Sequence, residues 1–168
     1  LNYLFVHPVS GKRLVLRINT GSQMHLQDQI AYEFSALQAL EPSGRTPKPL
    51  FCDNSRELFP CGILVMEWLP GRPLRYESDL ADAAQILADI HTTPVSQQTR
   101  LLRPEYPAQA IFEECLEMVE HYYCWEKADR TVCGLLEQLV REIGKLSLKE
   151  AAKSPRCIVN TELNSGNF

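Results

Sequence analysis

The sequence LVMEWLPGRPL spans residues 64–74 and marks a change from one kind of structure to another. Its first half continues an apolar run, from Cys61 to Glu67, that is typical of a buried strand. Its second half is too dense in proline and glycine for a helix or a strand. We therefore interpret residues 69–74 as a connector, with a lobe of strands and one helix before it (1–68) and a mostly helical lobe after it (75–168).

Four strand-like runs and one helix are predicted before the connector. The runs are residues 3–7, 13–18, 50–52 and 61–67, and residues 8–12 have the composition of a hairpin loop. A helix is predicted from about Gln27 to Leu40, with Ile30, Phe34, Leu37 and Leu40 as its apolar stripe.

Glu33 is unusual because it lies beside that stripe, three residues after Ile30 and four before Leu37. A carboxylate next to a buried face needs a cationic partner, since desolvation without one is costly. A carboxylate at the solvent edge of the helix is the simpler alternative, and the spacing alone leaves both open.

The part after the connector is predicted to be helical. The first helix runs from Asp79 to His91, with Ser78 as its cap, and its apolar face is formed by Leu80, Ala84, Leu87 and Ile90. Two more helices cover about 108–125 and 130–146, the latter with a stripe of Leu135, Leu139, Ile143 and Leu146, and residues 157–159 are predicted as a short buried strand. This order indicates an α+β protein with two lobes, and ligands bind preferentially in the cleft between such lobes.

Composition and charge exclude several classes of protein. The chain has 168 residues, 45% of them apolar and 23% charged, which is typical of a globular protein. The net charge of −4 argues against a general nucleic-acid binder, and no apolar run approaches the roughly 20 residues of a membrane span. Residues 71–168 carry fifteen acidic and eleven basic side chains. Four of these acids could attract a cationic substrate, although a solvated helix face is the simpler interpretation: Glu113, Glu114, Glu117 and Glu120.

The six cysteines favour reduced thiols in a cytosolic protein. None forms a C-x-x-C pair. Cys115, Cys124 and Cys133 are nine residues apart, so neighbours point to opposite faces of a helix and no shared metal site is expected.

The first residue is not Met and the last lies within a strand-loop-strand passage, so we expect both ends to be cut from a longer protein.

The segment VNTELNSGN, residues 159–167, contains an acid followed five positions later by an asparagine: Glu162 and Asn167. In phosphoryl transfer to a hydroxyl, an acid orients the hydroxyl or accepts its proton, and an asparagine oxygen binds Mg²⁺. The spacing alone is weak evidence for such a site. Its position supports the interpretation, because the segment follows a short apolar run that comes after a helical region.

This segment resembles the catalytic loop V-H-G-D-L-H-P-G-N of the aminoglycoside phosphotransferase and choline kinase family, which has a protein-kinase-like fold. Valine, leucine, glycine and asparagine match in register. Both family histidines are replaced by asparagine, at Asn160 and Asn164, and the catalytic aspartate is replaced by Glu162.

Other landmarks of that family follow in the same order over essentially the whole chain. Residues 14–17 resemble the strand that carries the phosphate-binding lysine, and residues 32–34 resemble the helix whose glutamate pairs with that cation. Residues 64–74 resemble the hinge, which is the most specific match, and residues 87–91 resemble a helix ending in Leu-His.

The resemblance implies an ATP- and Mg²⁺-dependent transfer of the γ-phosphate to a small-molecule hydroxyl, on an aminoglycoside, sugar or amino alcohol. Arg17 would contact the phosphates and Glu33 would hold Arg17. The carbonyl of Glu67 and the amide of Leu69 would bind the adenine edge. Glu162 would act as the base, and Asn167 would bind Mg²⁺. No nucleic acid or membrane partner is expected, and the acidic second lobe favours a cationic acceptor.

The departures from the family pattern keep other interpretations open. Glutamate in place of aspartate adds a methylene, and a displacement of about 1 Å can cost roughly a hundredfold in rate. The alternative is a catalytically inactive, kinase-like module that binds nucleotide or regulates; an unrelated α+β domain is a third interpretation. The family's first strand and glycine-rich loop would precede Leu1, and its second metal-binding aspartate would follow Phe168. We therefore expect the 168 residues alone to bind Mg-ATP poorly and to transfer no phosphate.

Overall fold

The computed structural model describes residues 1–21, 26, 28–96, 99–149 and 156–159. The described residues fall into two compact units. The first is Leu1–Leu101 with the described residues 157–159, and the second is Leu102–Arg156. The boundaries of the two lobes inferred from the sequence stay predictions.

The first unit contains a four-stranded antiparallel sheet. Its strands are β1 (Asn2–Val6), β2 (Arg13–Asn19), β3 (Pro49–Asp53) and β4 (Gly62–Glu67), in the order β1-β2-β4-β3. The backbone amide of His7 donates to the carbonyl of Lys12 at 2.8 Å, which closes the turn between β1 and β2. The four predicted strands and the hairpin are confirmed.

The strand register gives the sheet two different faces. Val15 lies opposite Met66, and Arg17 lies opposite Leu64, so these side chains share one face. We call this the inner face, and the opposite one, with Leu14, Leu16 and Val65, the outer face.

Helix α1 (Gln29–Leu40) packs on the inner face and forms the core with it. Ile30 and Leu64 are each only 1% exposed. Gly62 makes the close approach possible, since a Cβ at this position would lie 3.1 Å from the Cβ of Ile30 and 2.7 Å from Oδ1 of Asn54. The helix ends before a short 3₁₀ turn (Glu41–Ser43), and Gly44 closes that turn with a φ of +64°.

Helix α2 (Leu80–His91) is present, and its predicted apolar face is half right. Leu87 and Ile90 are half-buried as predicted, whereas Leu80 and Ala84 are exposed. Ala83 is buried and Ile86 is half-buried in their place. Ser78 is also not the cap: Asp79 occupies the N-cap position, and the Ser78 hydroxyl donates to its Oδ1 at 2.7 Å.

The second unit contains α3 (Pro107–Tyr123) and α4 (Arg130–Ile143). Asp129 caps α4, because its Oδ1 accepts from the amides of Thr131 (2.7 Å) and Val132 (3.2 Å). These hydrogen bonds lower the pKa of Asp129.

The predicted apolar stripe of α4 is mostly wrong. Leu135, Leu139 and Leu146 are exposed, and only Ile143 of the predicted set is half-buried. The other half-buried positions of α4 are Cys133, Leu136 and Val140, so the covered row is displaced by one residue from Leu135 and Leu139.

Residues 157–159, predicted as a buried strand, have no regular structure, and Cys157 and Val159 are exposed. The prediction of a strand there is wrong, since the pairing found among the described strands does not include these residues. In the described part of the chain, no helix combines the length and apolar character needed to cross a membrane.

Replacing Gly62 by alanine is expected to lower the free energy of unfolding by about 1–3 kcal/mol, because the new methyl group would press against Asn54 and Ile30. A methyl group added at Gly134, on α4, would meet no atom within 4 Å, so Gly134→Ala is expected to be neutral or to stabilise by about 0.5–1 kcal/mol. Urea unfolding followed by circular dichroism compares the two variants. Equal effects at both positions would contradict the close approach of α1 to β4.

Candidate functional site

An ion pair joins β2 to α1 on the inner face of the sheet. Arg17 Nη2 donates to Glu33 Oε1 at 2.8 Å, and Arg17 Nε lies 2.5 Å from Glu33 Oε2. The two side chains are 33% and 20% exposed, so the pair is partly shielded from water. The planar guanidinium therefore meets the carboxylate through two parallel contacts, which fix its orientation as well as its position.

Gln29 supports this pair from the first turn of α1. Its Nε2 donates to Glu33 Oε1 at 2.9 Å, and the residue is buried. Gln29 and Glu33 are four positions apart, so they are neighbours on the same helix face. Gln29 was not among the residues predicted from the sequence, although the i, i+4 spacing of an amide and a carboxylate was a usable signal.

Arg17 also has further N–H donors besides the two directed at Glu33, since a guanidinium carries five. Glu33 therefore holds the cation in place without using all of its hydrogen-bonding capacity. Such a held guanidinium can bind a phosphate or a carboxylate. The contact between Arg17 and Glu33 agrees with the expectation that Glu33 has a cationic partner, and the role of the pair toward a nucleotide stays a prediction.

The start of the connector is anchored where β4 ends. The amide of Glu67 donates to the carbonyl of Lys48 at 2.9 Å, and its Oε2 accepts from the amide of Lys48 at 3.3 Å. The Cζ of Arg13 lies 5.1 Å from the ring centroid of Trp68, within range of a cation–π contact. Leu69 is exposed and begins an irregular stretch.

The other end of the connector is organised around Asp79. Arg72 donates from Nη1 to Oδ2 (2.6 Å) and from Nη2 to Oδ1 (3.1 Å), and the amide of Arg75 donates to Oδ2 at 2.8 Å. The hydrogen bonds from Arg72, then those from the Arg75 amide and Ser78, hold the pKa of Asp79 well below its usual range. One carboxylate thus ties the connector to the start of α2.

A second ion pair joins α2 to the loop that follows α1. Arg45 Nε and Nη2 lie 2.7 and 2.6 Å from Asp89 Oδ2, and Gln85 Nε2 donates to Asp89 Oδ1 at 2.8 Å. The hydrogen bonds from Gln85 and Arg45 lower the pKa of Asp89. These contacts explain why α2 belongs to the same compact unit as the sheet.

The remaining predicted site residues, Glu162 and Asn167, lie outside the described residues, as do Asn160 and Asn164. Of the predicted set, the structure therefore describes Arg17, Glu33, Glu67 and Leu69. Among the described residues, no group of three or more histidine, cysteine, aspartate or glutamate side chains could hold a metal ion.

A model of the phosphotransferase enzyme family matches residues 1–168. The chain belongs to this family. Neither the curated proteins nor the solved structures that were searched gave a match. Membership of the phosphotransferase enzyme family confirms the resemblance drawn from the sequence motifs and indicates a kinase-like enzyme.

Asp79 should make the stability of the phosphotransferase chain depend on pH. Its pKa is lower in the folded protein than in the unfolded chain, so its stabilising contribution is complete above the unfolded value of about 3.9 and is lost as the pH falls toward the folded value. Asp79→Asn is therefore expected to be less stable than the parent at pH 7, and the difference should shrink below about pH 4.

Urea midpoints at pH 7, 5 and 3 for the parent and for Asp79→Asn test this prediction. Arg72→Met, which removes the first partner of the carboxylate, should weaken the same pH dependence. A difference between parent and Asp79→Asn that stays constant down to pH 3 would show that the carboxylate is not held as described.

Proposed function

We propose that the protein transfers the γ-phosphoryl group of ATP to a hydroxyl of a small molecule, with Mg²⁺ as cofactor, on a protein-kinase-like fold of two lobes. The observation that carries the proposal is the Arg17–Glu33 pair between β2 and α1. Membership of the phosphotransferase enzyme family supports the reaction type.

Arg17 is the proposed phosphate-binding group. Glu33 and Gln29 are positioning residues, because they fix the guanidinium through hydrogen bonds. A cation held in advance loses little side-chain entropy when the triphosphate binds. Arginine suits this role, since it can contact phosphate oxygens while it remains bound to a carboxylate.

The adenine is proposed to bind beside the end of β4. The carbonyl of Glu67 and the amide of Leu69 would contact its polar edge. Met66, the residue before Glu67, lies opposite Val15 on the inner face, and the two side chains would provide apolar surface for a flat base. The anchoring of Glu67 by Lys48 and the contact between Arg13 and Trp68 keep this part of the backbone in place.

Glu162 is proposed to orient the acceptor hydroxyl and to accept its proton, and Asn167 to hold Mg²⁺. Both assignments rest on the match of residues 159–167 to the family's catalytic loop. The amide oxygen of Asn167 is a suitable ligand for a hard cation. When bound, Mg²⁺ neutralises charge on the phosphate oxygens.

The acceptor is proposed to be an aminoglycoside, a sugar or an amino alcohol. A cationic acceptor is favoured by charge, because the exposed side of α3 carries four carboxylates: Glu113, Glu114, Glu117 and Glu120.

The second candidate is a kinase-like module that binds nucleotide but does not transfer phosphate. It is favoured by one specific observation, the replacement of three catalytic-loop residues by Asn160, Glu162 and Asn164. Both candidates need the Arg17–Glu33 pair, and they differ in whether the altered catalytic loop supports transfer.

Phosphate transfer from labelled ATP to aminoglycosides, sugars and amino alcohols tests the proposal on the full-length protein. Glu162→Ala is expected to lower kcat by about 10²–10⁴-fold, because the acceptor hydroxyl loses its base. Glu126→Ala, at an exposed glutamate, is the control and should leave kcat unchanged. Unchanged turnover in Glu162→Ala would refute the role of Glu162. Turnover that is absent in the parent and appears in Glu162→Asp would favour the second candidate.

Calorimetric titration with ATP and with adenosine tests the proposed role of Arg17. Arg17→Met is expected to weaken ATP binding by about tenfold or more and to leave adenosine binding unchanged, because the guanidinium contacts only the phosphates. Glu33→Gln should weaken ATP binding less, since it leaves the cation present but less well held. Arg103→Met, at an exposed arginine of the second unit, is the matched control. Equal losses for ATP and adenosine in Arg17→Met would refute the assignment.

A further inference from the structure

A groove of about 370 Å³ lies on the outer face of the sheet, opposite the face that carries Arg17. Phe5, Leu14 and Val65, from three neighbouring strands, form its floor. Leu50 and Phe51 of the edge strand β3 form one side, and His7, Ser10 and Lys12 of the β1–β2 turn form the rim. Its volume is in the lower part of the range of small-molecule sites.

The apolar side of the groove depends on an irregularity in β3. Pro49 pairs with Met66 and Phe51 pairs with the next residue of β4, Val65, so Leu50 is an extra residue in the register. In a regular strand two successive side chains point to opposite faces, whereas here Leu50 and Phe51 both line the groove. They are 53% and 52% exposed. Two adjacent large apolar side chains, turned to the same exposed surface by a bulge, indicate a binding surface.

The rim presents a hydrogen-bond donor in a fixed orientation. The turn is closed by hydrogen bonds from the amide of His7 to Lys12 O (2.8 Å) and from the amide of Gly11 to His7 O (2.9 Å), with Gly11 at a φ of +68°. The amide of Ser10 donates to His7 Nδ1 at 3.1 Å, and Ser10 Oγ lies 3.0 Å from the same atom. A backbone amide can only donate, so Nδ1 is the acceptor and the neutral ring carries its proton on Nε2.

Among the residues that line the groove, charge has one sign. Lys12 adds an ammonium group to the rim, and none of the eight lining residues, all in the described part of the chain, is acidic. The negatively charged Glu67 lies on the same face opposite Leu14 but is not a lining residue, and its carboxylate accepts a hydrogen bond from the amide of Lys48. The groove therefore combines an apolar floor with two donors at one end, one of them cationic.

We propose that this groove binds a small amphipathic carboxylate. The carboxylate accepts hydrogen bonds from His7 Nε2 and the ammonium of Lys12, and an aliphatic or aromatic body lies on Phe5, Leu14 and Phe51. A single cation on the rim does not suit a polyanion such as a nucleic acid, and the cationic rim disfavours an organic cation. The proposal is independent of the phosphotransferase reaction, which uses the inner face.

Calorimetric titration of the full-length protein with decanoate, decan-1-ol and decyltrimethylammonium tests the proposal. The three probes have the same apolar chain and differ in the charge of the head group. Decanoate is expected to bind about tenfold or more tightly than decan-1-ol, because only the carboxylate gains charge-assisted hydrogen bonds. Equal affinities for decanoate and decan-1-ol, or tighter binding of the cation, would overturn the proposal.

Three variants locate the binding. Lys12→Glu and Leu50→Gln should each weaken decanoate binding about tenfold or more, the first through the rim and the second through the apolar side. Lys127→Glu makes the same charge change at an exposed lysine of the second unit and should bind like the parent. Because both groove positions are exposed, folding should be retained, and circular dichroism checks this. Unchanged decanoate binding in folded Lys12→Glu would refute the proposed contact between Lys12 and the carboxylate. If Lys12→Glu does not fold, Lys12→Met repeats the test.

Sedimentation velocity tests the alternative that a second copy of the chain, and not a small molecule, occupies the groove. The proposal expects the same association state for the parent and for Leu50→Gln. A dimeric parent that becomes monomeric in Leu50→Gln would show that another copy covers the groove, and would overturn the proposal.

Discussion

The contact between Arg17 and Glu33 constrains the rest of the first unit. A carboxylate beside the apolar stripe of α1 is costly to bury without a cation, and the cation that meets Glu33 comes from the inner face of β2. The pair therefore sets how α1 is turned about its axis over the sheet. Ile30 then meets β4 at Gly62, where the missing Cβ allows the helix to approach closely. Core packing and the placement of the proposed phosphate-binding cation are consequences of one arrangement.

The same strands serve two faces with different chemistry. On β2, Val15 and Arg17 face α1 and the proposed nucleotide site, whereas Leu14 faces the outer groove. On β4, Met66 lies on the inner face, whereas Val65 faces the outer groove. Because successive residues of a strand point to opposite faces, an alternating sequence can build a charged site and an apolar groove on one sheet without conflict. The bulge at Leu50 is the one departure from alternation on β3, and it enlarges the apolar side of the groove.

The sequence predicted the strands and the hairpin, because each depends on local patterns. The residue pattern left the surroundings of Glu33 open, and only the family resemblance indicated Arg17 as its partner, which the contact between the two side chains agrees with. The prediction of the covered helix face failed where one helix contains two apolar rows. Helix α4 has an apolar row through Leu135 and Leu139 and another through Leu136 and Val140, and periodicity gives the spacing of a row but not which row is covered. Ser78 and Asp79 are both good capping residues, and their residue types do not show that the helix begins after Asp79. The bulge at Leu50 could not be predicted from the sequence, since residues 49–53 have the composition of an ordinary strand.

Nucleotide binding and phosphate transfer place different demands on this chain. Holding a triphosphate requires a cation fixed in space. Arg17, held by Glu33 and Gln29, is the group proposed to meet that demand, whichever residue occupies position 162. Moving a proton from an acceptor hydroxyl requires a base placed to within about 1 Å, so the additional methylene of Glu162 bears on transfer and not on binding. An enzyme and a binding module in this family would therefore share the inner face of the sheet and differ in the catalytic loop alone. The identity of residue 162 and its distance from the acceptor hydroxyl, more than the strength of nucleotide binding, separate the two functions.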